Sequence, residues 1–306
     1  MALPALHLLR QVGYPLILVG RPWAKDLLAG LEPTEFIALQ GPLRRDAGLL
    51  RSTLQAGKAG HVAGLCFPDS LSSALVFRWA GVRTAGYRDD GRSLLLSWPI
   101  AKPRQPMHVV QSYFYLARTA LQHWGVGHGL PEQPPATLDL PLLSAHEQAA
   151  RSAMERAGLT QGRFVLLSPT ATGLHKGRVK AWGHYQALAQ HLQGRGWAVA
   201  VCPPPQEIDA ARQAVPTALV IPSLPLGAYA ALTRLAALVV CNDSGTSHVA
   251  AAAGSHQITL FGVTQPQRTG PWSPQAVCLG NDAQWPTLEH VADTALDNLA
   301  QRAVAP

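Results

Sequence analysis

The sequence lacks the features that mark disulfide-rich, membrane-spanning and disordered proteins. Its four cysteines stand far apart without C-x-x-C spacing, which indicates reduced core residues of a cytoplasmic protein rather than a disulfide framework or a zinc site. No apolar run reaches membrane-spanning length, and residues 1–12 have neither the charged leader nor the apolar centre of a signal peptide. Only 14% of the 306 residues are charged and 47% are hydrophobic, so the chain can bury a sizeable core.

Carboxylates are scarce in the first half of the chain. Residues 1–125 contain 14 lysines and arginines but 7 aspartates and glutamates, whereas residues 126–306 contain 11 of each. The whole net charge of +7 therefore lies in the first half and predicts an anionic partner there. A phosphorylated glycolipid or an anionic membrane surface fits, and a solvated basic face is the alternative. A nucleic acid is disfavoured, because no helix-turn-helix, zinc-finger or RNA-recognition pattern is present.

Short apolar strands alternate with helix-length segments along the chain. Strands are predicted at residues 16–19, 35–39, 62–67, 84–87, 164–168, 198–202, 218–221, 238–241, 257–261 and 276–279. Helices are predicted near residues 1–12, 22–30, 46–57, 70–80, 107–124, 144–157, 181–193, 206–215, 226–235, 245–253 and 287–303. Strands separated by helices imply parallel sheets with right-handed crossovers.

A stretch rich in proline and glycine, residues 126–143, divides these elements into two series. The sequence therefore predicts an α/β protein with two doubly wound, Rossmann-like domains facing a cleft, in which ligands bind beyond the carboxyl ends of the strands. We place the first domain at residues 1–130 and the second at residues 144–285. A C-terminal helix within residues 286–306 is free to pack back on the first domain.

The strongest chemical signal is the stretch LVVCNDSGTSHVAAAAG at residues 238–254. A buried strand is predicted to end at Cys241, and the following helix ends at Gly254, a residue typical of helix C-caps. Asp243 or Ser244 suits the N-cap, and the unpaired N–H groups at a helix entrance suit a diphosphate. Asp243 is also able to accept hydrogen bonds from sugar hydroxyls. An ordinary capped helix is the alternative.

Three more residues belong to the same helix entrance. Gly245 allows a ligand to approach the backbone closely. Thr246 follows it, and His248 lies one turn into the helix, where packing is its alternative role.

A second cluster, residues 168–182, follows the first strand of the second half. Its glycines make the loop flexible, and Lys176, Arg178 and Lys180 make it basic, which suits a phosphate-bearing ligand. A solvated basic loop, with Trp182 as a core anchor, is the alternative.

These motifs resemble those of the ADP-heptose–lipopolysaccharide heptosyltransferases, a glycosyltransferase family. The segment DSGTSHVAAAAG at residues 243–254, followed by ITLFGVTQP and TGPW, is similar to the family's donor-site pattern. That pattern reads D-[ST]-G-x-x-H-x-A-A-A-x-G, then an apolar-LFG segment and a T-G-P turn. The resemblance covers most of residues 1–280 and implies the two-domain GT-B architecture.

The resemblance also implies a set of donor-binding residues. Lys180 and Trp182 are similar to the family's K-x-W segment, although Thr170 stands where the family often has glycine. Glu207 follows the next strand, where a carboxylate is able to bind the ribose hydroxyls, with a helix start as its alternative role. The implied donor-binding residues are Lys180, Asp243, Ser244, Gly245, Thr246, His248, Thr170 and Glu207.

Two segments of the first half resemble the family's acceptor side. PDSLSSAL at residues 68–75 and AGVRTAGYR at residues 80–88 are similar to its P-N-S-x-x-S-A-L and A-G-[IV]…R-x-G-[YW]-R segments, with Asp69 in place of the usual asparagine. The implied acceptor-binding residues are Ser70, Arg83, Arg88, His108 and Gln111. Arg92 is a further cation that could meet an acceptor phosphate, and helix capping is the alternative role of Ser70.

The resemblance assigns the general base to no residue of this sequence. In the family, a first strand and a G-D turn precede a segment similar to MALPAL at residues 1–6, and the Asp of that turn is the proposed base. We therefore expect the catalytic Asp and the first strand to be encoded upstream of Met1, ahead of a start codon assigned too late. A truncated, inactive relative is the alternative. Asp69 or His108 are conceivable substitutes.

The implied function is inverting, metal-independent transfer of heptose from ADP-heptose to the lipopolysaccharide inner core. No Asp-x-Asp occurs, which argues against a Mn²⁺-dependent arrangement, and no cofactor is expected. The implied partners are ADP-heptose and a phosphorylated lipid A-core acceptor, at the cytoplasmic face of the inner membrane and without nucleic acid. The alternatives are a catalytically impaired nucleotide-sugar-binding relative and a sugar-nucleotide epimerase of the same architecture.

Overall fold

The structure is a computed structural model, which describes residues 1–57, 62–171, 174–175 and 177–304. The chain divides into two compact units. The first contains Met1–Lys25 and Leu31–Pro135, and the second contains Asp26–Gly30 and the chain from Ala136 onward. The boundary at residue 135 lies in the predicted proline- and glycine-rich stretch. The assignment of residues 26–30 to the second unit was not predicted.

Short strands and amphipathic helices alternate up to residue 135. The strands are β1 (Ile17–Gly20), β2 (Glu35–Ala38), β3 (Ala63–Cys66), β4 (Arg83–Tyr87) and β5 (Trp98–Ile100). The helices are α1 (Leu3–Gln11), α2 (Trp23–Leu27), α3 (Leu43–Ala56), α4 (Leu71–Ala80) and α5 (Val109–His123), with single 3₁₀ turns at Ala29–Leu31 and Arg92–Leu94.

The described strands of the first unit form two parallel sheets, β1-β2 and β3-β4-β5, rather than the single sheet that a doubly wound domain predicts. Side chains join them where the backbone ladder does not: Ile17 and Val19 of β1 pack in the same hydrophobic cluster as Val76 of α4. The unit is therefore held together by its apolar layer across this division.

Two local features of the first unit depart from the sequence prediction. Strand β5 was missed because Pro99 interrupts its apolar run, and β5 is an edge strand, where proline is tolerated. Helix α3 begins at Leu43 rather than near residue 46. Asp46 lies in the first turn of α3, and its carboxylate accepts hydrogen bonds from the backbone N–H groups of Gln40 and Gly41, 2.8 and 2.9 Å away.

The second unit follows the predicted order of elements closely. Its strands are β6 (Phe164–Ser168), β7 (Leu174–His175), β8 (Arg178–Val179), β9 (Ala198–Val201), β10 (Leu219–Val220), β11 (Leu238–Asn242), β12 (Gln257–Phe261) and β13 (Ala276–Gly280). Its helices are α6 (Ser144–Arg156), α7 (Tyr185–Gly194), α8 (Ile208–Ala214), α9 (Leu226–Leu235), α10 (Gly245–Ala253), α11 (Pro266–Thr269) and α12 (Leu288–Val304), with a 3₁₀ turn at Pro205–Glu207.

One six-stranded parallel sheet organises the second unit, in the order β10-β9-β6-β11-β12-β13. When only the six strands of this sheet are numbered along the chain, this is the order 3-2-1-4-5-6 of a dinucleotide-binding Rossmann fold, whose strand order reverses between β6 and β11. All five residues of β11 are buried, which explains its apolar run, because a central parallel strand is covered on both faces.

The C-terminal helix belongs to the core of the second unit. Val291, Ala295 and Leu299 of α12 are buried in one cluster with Leu188 of α7 and Val240 of β11. The apolar stripe of α12 therefore packs in the helical layer that covers the second sheet.

The predicted basic loop contains a small antiparallel hairpin, β7-β8, that turns at Gly177 with φ +77°. No described helix combines the length and apolar character that crossing a bilayer requires.

Candidate functional site

The two strongest sequence motifs meet at the switch point of the second sheet. Strand β6 pairs with β11 so that Ser168 lies opposite Cys241. The Ser168 Oγ atom lies 3.2 Å from Oγ1 of Thr246, in the first turn of α10. The carboxyl end of β6 therefore contacts the helix entrance after β11, at the edge where open α/β sheets bind ligands.

Asn242, the last residue of β11, ties the surrounding loops together. Its fully buried side chain accepts a hydrogen bond from the backbone N–H of Trp182 at 3.0 Å and donates one to the carbonyl of Pro169 at 3.0 Å. Sequence reasoning assigned it no role, although an amide that ends a buried strand must find partners. Trp182 is itself buried and donates its indole N–H to the carbonyl of Pro286, which is the anchoring role considered for it.

Asp243 and Lys180 form an ion pair at the end of β11. The Lys180 Nζ atom lies 3.5 Å from Oδ2 of Asp243, and Thr264 donates a 2.6 Å hydrogen bond to the same oxygen. Asp243 is 7% exposed, whereas the Lys180 side chain is 23% exposed. The ammonium group is therefore accessible to an anion while it neighbours a carboxylate that can accept hydroxyl hydrogen bonds.

The entrance of α10 is open to a ligand. Ser244 occupies the N-cap position and its carbonyl accepts from the backbone N–H and the hydroxyl of Ser247, at 3.2 and 2.8 Å. The Ser244 Oγ atom is buried and finds no hydrogen-bond partner in the described part of the chain. Among the described residues, no heavy atom outside the neighbouring residues and the backbone of α10 lies within 4 Å of the place where a Gly245 side chain would begin. The N–H groups of Gly245 and Thr246, for which an α-helix offers no partner of its own, can therefore bind an anion.

Thr246 and His248 occupy the same first turns of α10. Thr246 also takes part in a buried hydroxyl network, because the Tyr229 hydroxyl interacts with Thr246 and Ser168. Burial raises the pKa of Tyr229 well above its ordinary value, so this phenol stays neutral. His248 is half-buried on the helix.

Thr170 and Glu207 are brought together by the neighbouring pair of strands. Thr170 follows β6, and Glu207 ends the 3₁₀ turn after β9. The Thr170 hydroxyl donates a short hydrogen bond to Oε2 of Glu207. This bond orients a partly exposed carboxylate at the same edge of the sheet.

The basic residues of the loop have different roles. Lys176 lies outside the described residues. Arg178 donates to the carbonyls of Gly262 and Asp282, both at 2.8 Å, so it fastens the β7-β8 hairpin to the loops after β12 and β13. Arg178 is thus engaged with backbone carbonyls, and Lys180 is the described cation beside Asp243.

Three candidate residues of the first unit lie at the two ends of the β3-β4-β5 sheet. Ser70 follows β3 and Arg88 follows β4, so both lie at carboxyl ends of adjacent strands. Arg83 begins β4, at the opposite end, and its guanidinium lies 4.6 Å from the centroid of the Trp98 ring. The structure therefore separates Arg83 from Ser70 and Arg88, because a five-residue strand places its first and last residues at opposite edges.

Three candidates take part in helix capping. Ser70 accepts from the backbone N–H of Ser73 at 3.3 Å and caps α4. His108 caps α5: its Nδ1 atom accepts from the N–H of Val110 at 3.2 Å, and Gln111 accepts from the His108 N–H at 3.0 Å. Ser70 therefore has the capping role that was its alternative. His108 and Gln111 are held in place by the capping box at the start of α5.

An ion-pair cluster that the sequence did not predict lies beside them. The Lys102 Nζ atom is 2.7 Å from carboxylate oxygens of both Asp69 and Asp89. Arg92 is fully buried, with Nη1 3.6 Å from Asp69. Burial withdraws Arg92 from solvent, which corrects the expectation that it meets an acceptor phosphate. Burial also raises the pKa of Tyr87, whose ring faces Lys102, to about 12.

Among the described residues, no group of three or more His, Cys, Asp or Glu side chains is arranged to hold a metal ion.

Comparison with known proteins identifies a family and a fold. The sequence pattern of glycosyltransferase family 9 (heptosyltransferase) matches residues 51–299. Lipooligosaccharide heptosyltransferase 2 of Haemophilus influenzae is 29% identical over 284 residues, which cover 84% of this chain and 77% of that protein.

Two solved structures from E. coli share the fold. ADP-heptose LPS heptosyltransferase II has a TM-score of 0.74 and 23% identity, over 99% of this chain and 96% of its own. Heptosyltransferase WaaC with ADP has a TM-score of 0.75 and 20% identity, over 97% and 95%. The α/β architecture with parallel sheets is therefore that of GT-B heptosyltransferases. Since the family pattern spans most of the chain, including the loops around Lys180 and Asp243, this protein belongs to glycosyltransferase family 9, the heptosyltransferases.

Proposed function

We propose that this protein transfers heptose from ADP-heptose to the inner core of lipopolysaccharide. The observation that carries the proposal is the Lys180–Asp243 pair beside the open entrance of α10, at the switch point of a Rossmann sheet. E. coli heptosyltransferase WaaC, which has this fold, is solved with ADP and with ADP-2-deoxy-2-fluoro heptose, which supports a nucleotide-sugar donor.

The donor diphosphate is proposed to lie between Lys180 and the first N–H groups of α10. Lys180 and the helix entrance supply positive charge without a metal ion, and Gly245 leaves room for the phosphate. Asp243 accepts hydrogen bonds from the sugar hydroxyls. Glu207, held by Thr170, accepts them from the ribose. Ser244, Thr246 and His248 complete the wall of this site.

The proposed reaction is a single displacement with inversion. An acceptor hydroxyl oxygen bonds to the anomeric carbon, and the bond from that carbon to the β-phosphate oxygen breaks. ADP leaves with the electron pair, and its charge is stabilised by Lys180 and the amides of α10. The hydroxyl proton passes to a general base, which we assign to no residue of this sequence.

The first domain is proposed to bind the phosphorylated acceptor. Ser70 and Arg88 are the candidates that the structure places at adjacent carboxyl ends, and the excess positive charge of residues 1–125 complements a phosphorylated lipid A-core. Because that acceptor is a lipid, we place the protein at the cytoplasmic face of the inner membrane.

Calorimetric titration of the purified chain with ADP-heptose tests the donor assignment, with UDP-glucose and UDP-N-acetylglucosamine as controls. Selective binding of ADP-heptose supports the proposal, and equal or absent binding by a folded sample contradicts it. Release of ADP in the presence of lipid A-core acceptor then separates a transferase from a nucleotide-sugar-binding relative, which binds donor without turnover. Interconversion of the sugar without an acceptor would indicate an epimerase.

Two variants separate the roles of the ion pair. Lys180→Met should weaken the binding of both ADP and ADP-heptose by roughly 10- to 100-fold, because a charge-assisted hydrogen bond contributes about 1.5–3 kcal/mol. Asp243→Asn should weaken ADP-heptose binding but leave ADP affinity within about threefold, because its carboxylate is assigned to the sugar. Calorimetry with the two ligands measures both effects, and a Lys180→Met variant that keeps its ADP affinity would contradict the phosphate assignment.

A further inference from the structure

Helices α3 and α4 present a joint outward face on the first unit. Ala47 of α3 and Val76 and Ala80 of α4 are buried in one hydrophobic cluster, so the opposite sides of both helices face solvent. The two helices pack against each other. A hydrogen bond from the Arg51 guanidinium to the carbonyl of Trp79 joins the two outward sides. We call this surface the α3–α4 face.

The α3–α4 face has one sign of charge. Its exposed cations are Arg44, Arg45, Arg51 and Arg78. Helix α4 contains no acid, and the acid of α3, Asp46, is buried and engaged with two backbone N–H groups. Among the described residues, no carboxylate forms an ion pair with Arg44, Arg45 or Arg78, so their charge is available to an outside partner.

Large apolar side chains interrupt these arginines. Leu49, Leu71 and Trp79 are 39%, 48% and 40% exposed. A solvated helix pair gains nothing from exposing tryptophan and leucine between arginines. At a bilayer surface, by contrast, arginines bind anionic headgroups while tryptophan and leucine enter the interface.

We propose that the α3–α4 face docks on a membrane surface rich in anionic phospholipid. Charge complementarity identifies the occupant, and the interspersed apolar side chains favour a bilayer over a nucleic acid, whose phosphates would leave them exposed. Leu71 directly follows Ser70, so the face borders the carboxyl end of β3. The inference rests on the proposed function in one respect only: a docked face beside that edge suits an acceptor that lies in the membrane.

Vesicle co-sedimentation tests the docking without turnover. The full chain is mixed with vesicles of 30% phosphatidylglycerol in phosphatidylcholine, or with pure phosphatidylcholine, at low and moderate salt. Neither vesicle contains a glycolipid acceptor. We expect binding to the anionic vesicles that weakens as salt rises. The double variant Arg44→Gln, Arg45→Gln should bind on the order of twentyfold more weakly, because each basic residue near an anionic leaflet contributes roughly fivefold.

The matched control removes the same charge from the second unit, at exposed Arg156 and Arg195. The double variant Arg156→Gln, Arg195→Gln should bind anionic vesicles within about twofold of the parent chain if the position of the arginines, and not the net charge alone, determines binding. Trp79 supplies a second readout: the blue shift of tryptophan emission on adding anionic vesicles should shrink in Trp79→Phe.

Three results would overturn the docking proposal. The first is a folded chain that does not bind anionic vesicles, and the second is an equal loss of vesicle binding in both double variants. The third is a chain that binds duplex DNA, but not vesicles, through Arg44 and Arg45. Calorimetry with ADP-heptose on the same sample keeps the two proposals separate. Donor binding without vesicle binding refutes the docking alone, and vesicle binding without donor binding refutes the donor assignment alone.

Discussion

At the scale of single residues, Asn242 shows how a site is held by a side chain that need not touch the ligand. Its amide bonds fix the backbone of Trp182 and Pro169, which flank the loop that carries Lys180. An amide in this place has to be fully satisfied, because a buried polar group without a partner costs free energy that packing cannot restore.

Asn242→Ala should lower the free energy of unfolding by about 2–4 kcal/mol, since it leaves the Trp182 N–H and the Pro169 carbonyl buried without partners. Asn298→Ala is the control, because Asn298 lies half-buried on α12 and bonds the carbonyl of Thr294 within its own helix. Its cost should stay near or below about 1 kcal/mol. Urea denaturation measures both, and equal costs would refute the bridging role.

The ion pairs of Lys102 offer a second comparison between residues. Asp69 and Asp89 both bind Lys102 at 2.7 Å, but Asp69 also faces the buried guanidinium of Arg92. Asp69→Ala should cost about 1–3 kcal/mol, because it leaves a buried cation without its counter-charge, moderated by the partial exposure of Asp69. Asp89→Ala removes only an exposed pair and should cost about 0–1 kcal/mol. Thermal and urea unfolding would contradict this account if Asp89→Ala were the more damaging change.

At the scale of elements, the helices differ in what their glycines do. Gly254 ends α10 with φ +74°, whereas Gly48 lies inside α3 with open space around it. A side chain at Gly254 is strained by the left-handed backbone, and one at Gly48 is not.

Gly48→Ala should therefore raise the free energy of unfolding by about 0.5–1 kcal/mol, through helix propensity and a less flexible unfolded chain. Gly254→Ala should lower it by about 1 kcal/mol or more. The two substitutions add the same methyl group, so shifts of the denaturant midpoint in opposite directions would test the assigned backbone conformations directly. A destabilising Gly48→Ala would show that α3 does not continue through that position.

At the scale of the whole molecule, charge and ligand chemistry are divided between the units. Residues 1–125 carry the net positive charge, and the switch point with Lys180 and Asp243 belongs to the second unit. This division matches the proposed division of labour between a phosphorylated lipid acceptor and a nucleotide donor.

The division predicts where ADP protects the chain. At about 100 times its Kd, ADP should stabilise the protein by about 2.7 kcal/mol by mass action. Hydrogen exchange should slow most in β6, β11 and the first turn of α10, and protection confined to β3 and β4 would refute the donor site. Adenosine serves as the control ligand, because it lacks the diphosphate that Lys180 is proposed to bind.

Much of the fold follows from local pattern. The period of apolar residues predicted most strands and helices to within a few residues. The alternation of strands with helices predicted that the sheets are parallel. The stretch around Asp243 and the K-x-W segment identified the family, which the family match confirms. These features are encoded within windows of about 5–15 residues, the length over which neighbouring side chains select one secondary structure.

Other features depend on residues far apart in the sequence. The split of the first sheet and the packing of α12 in the second unit are decided by which apolar faces fit together. Residues 26–30 belong to the second unit through polar contacts, because the Asp26 carboxylate accepts a hydrogen bond from the Gly227 N–H at 2.6 Å and lies 3.2 Å from His146. In the same way, the sequence alone does not distinguish the basic residues Arg178, Arg83 and Arg92. In the fold, Arg178 bonds to backbone carbonyls, Arg83 lies over a tryptophan ring and Arg92 is buried in the interior. A charge in the sequence determines that a partner is needed, and only tertiary packing, through burial and distance, decides which partner it finds.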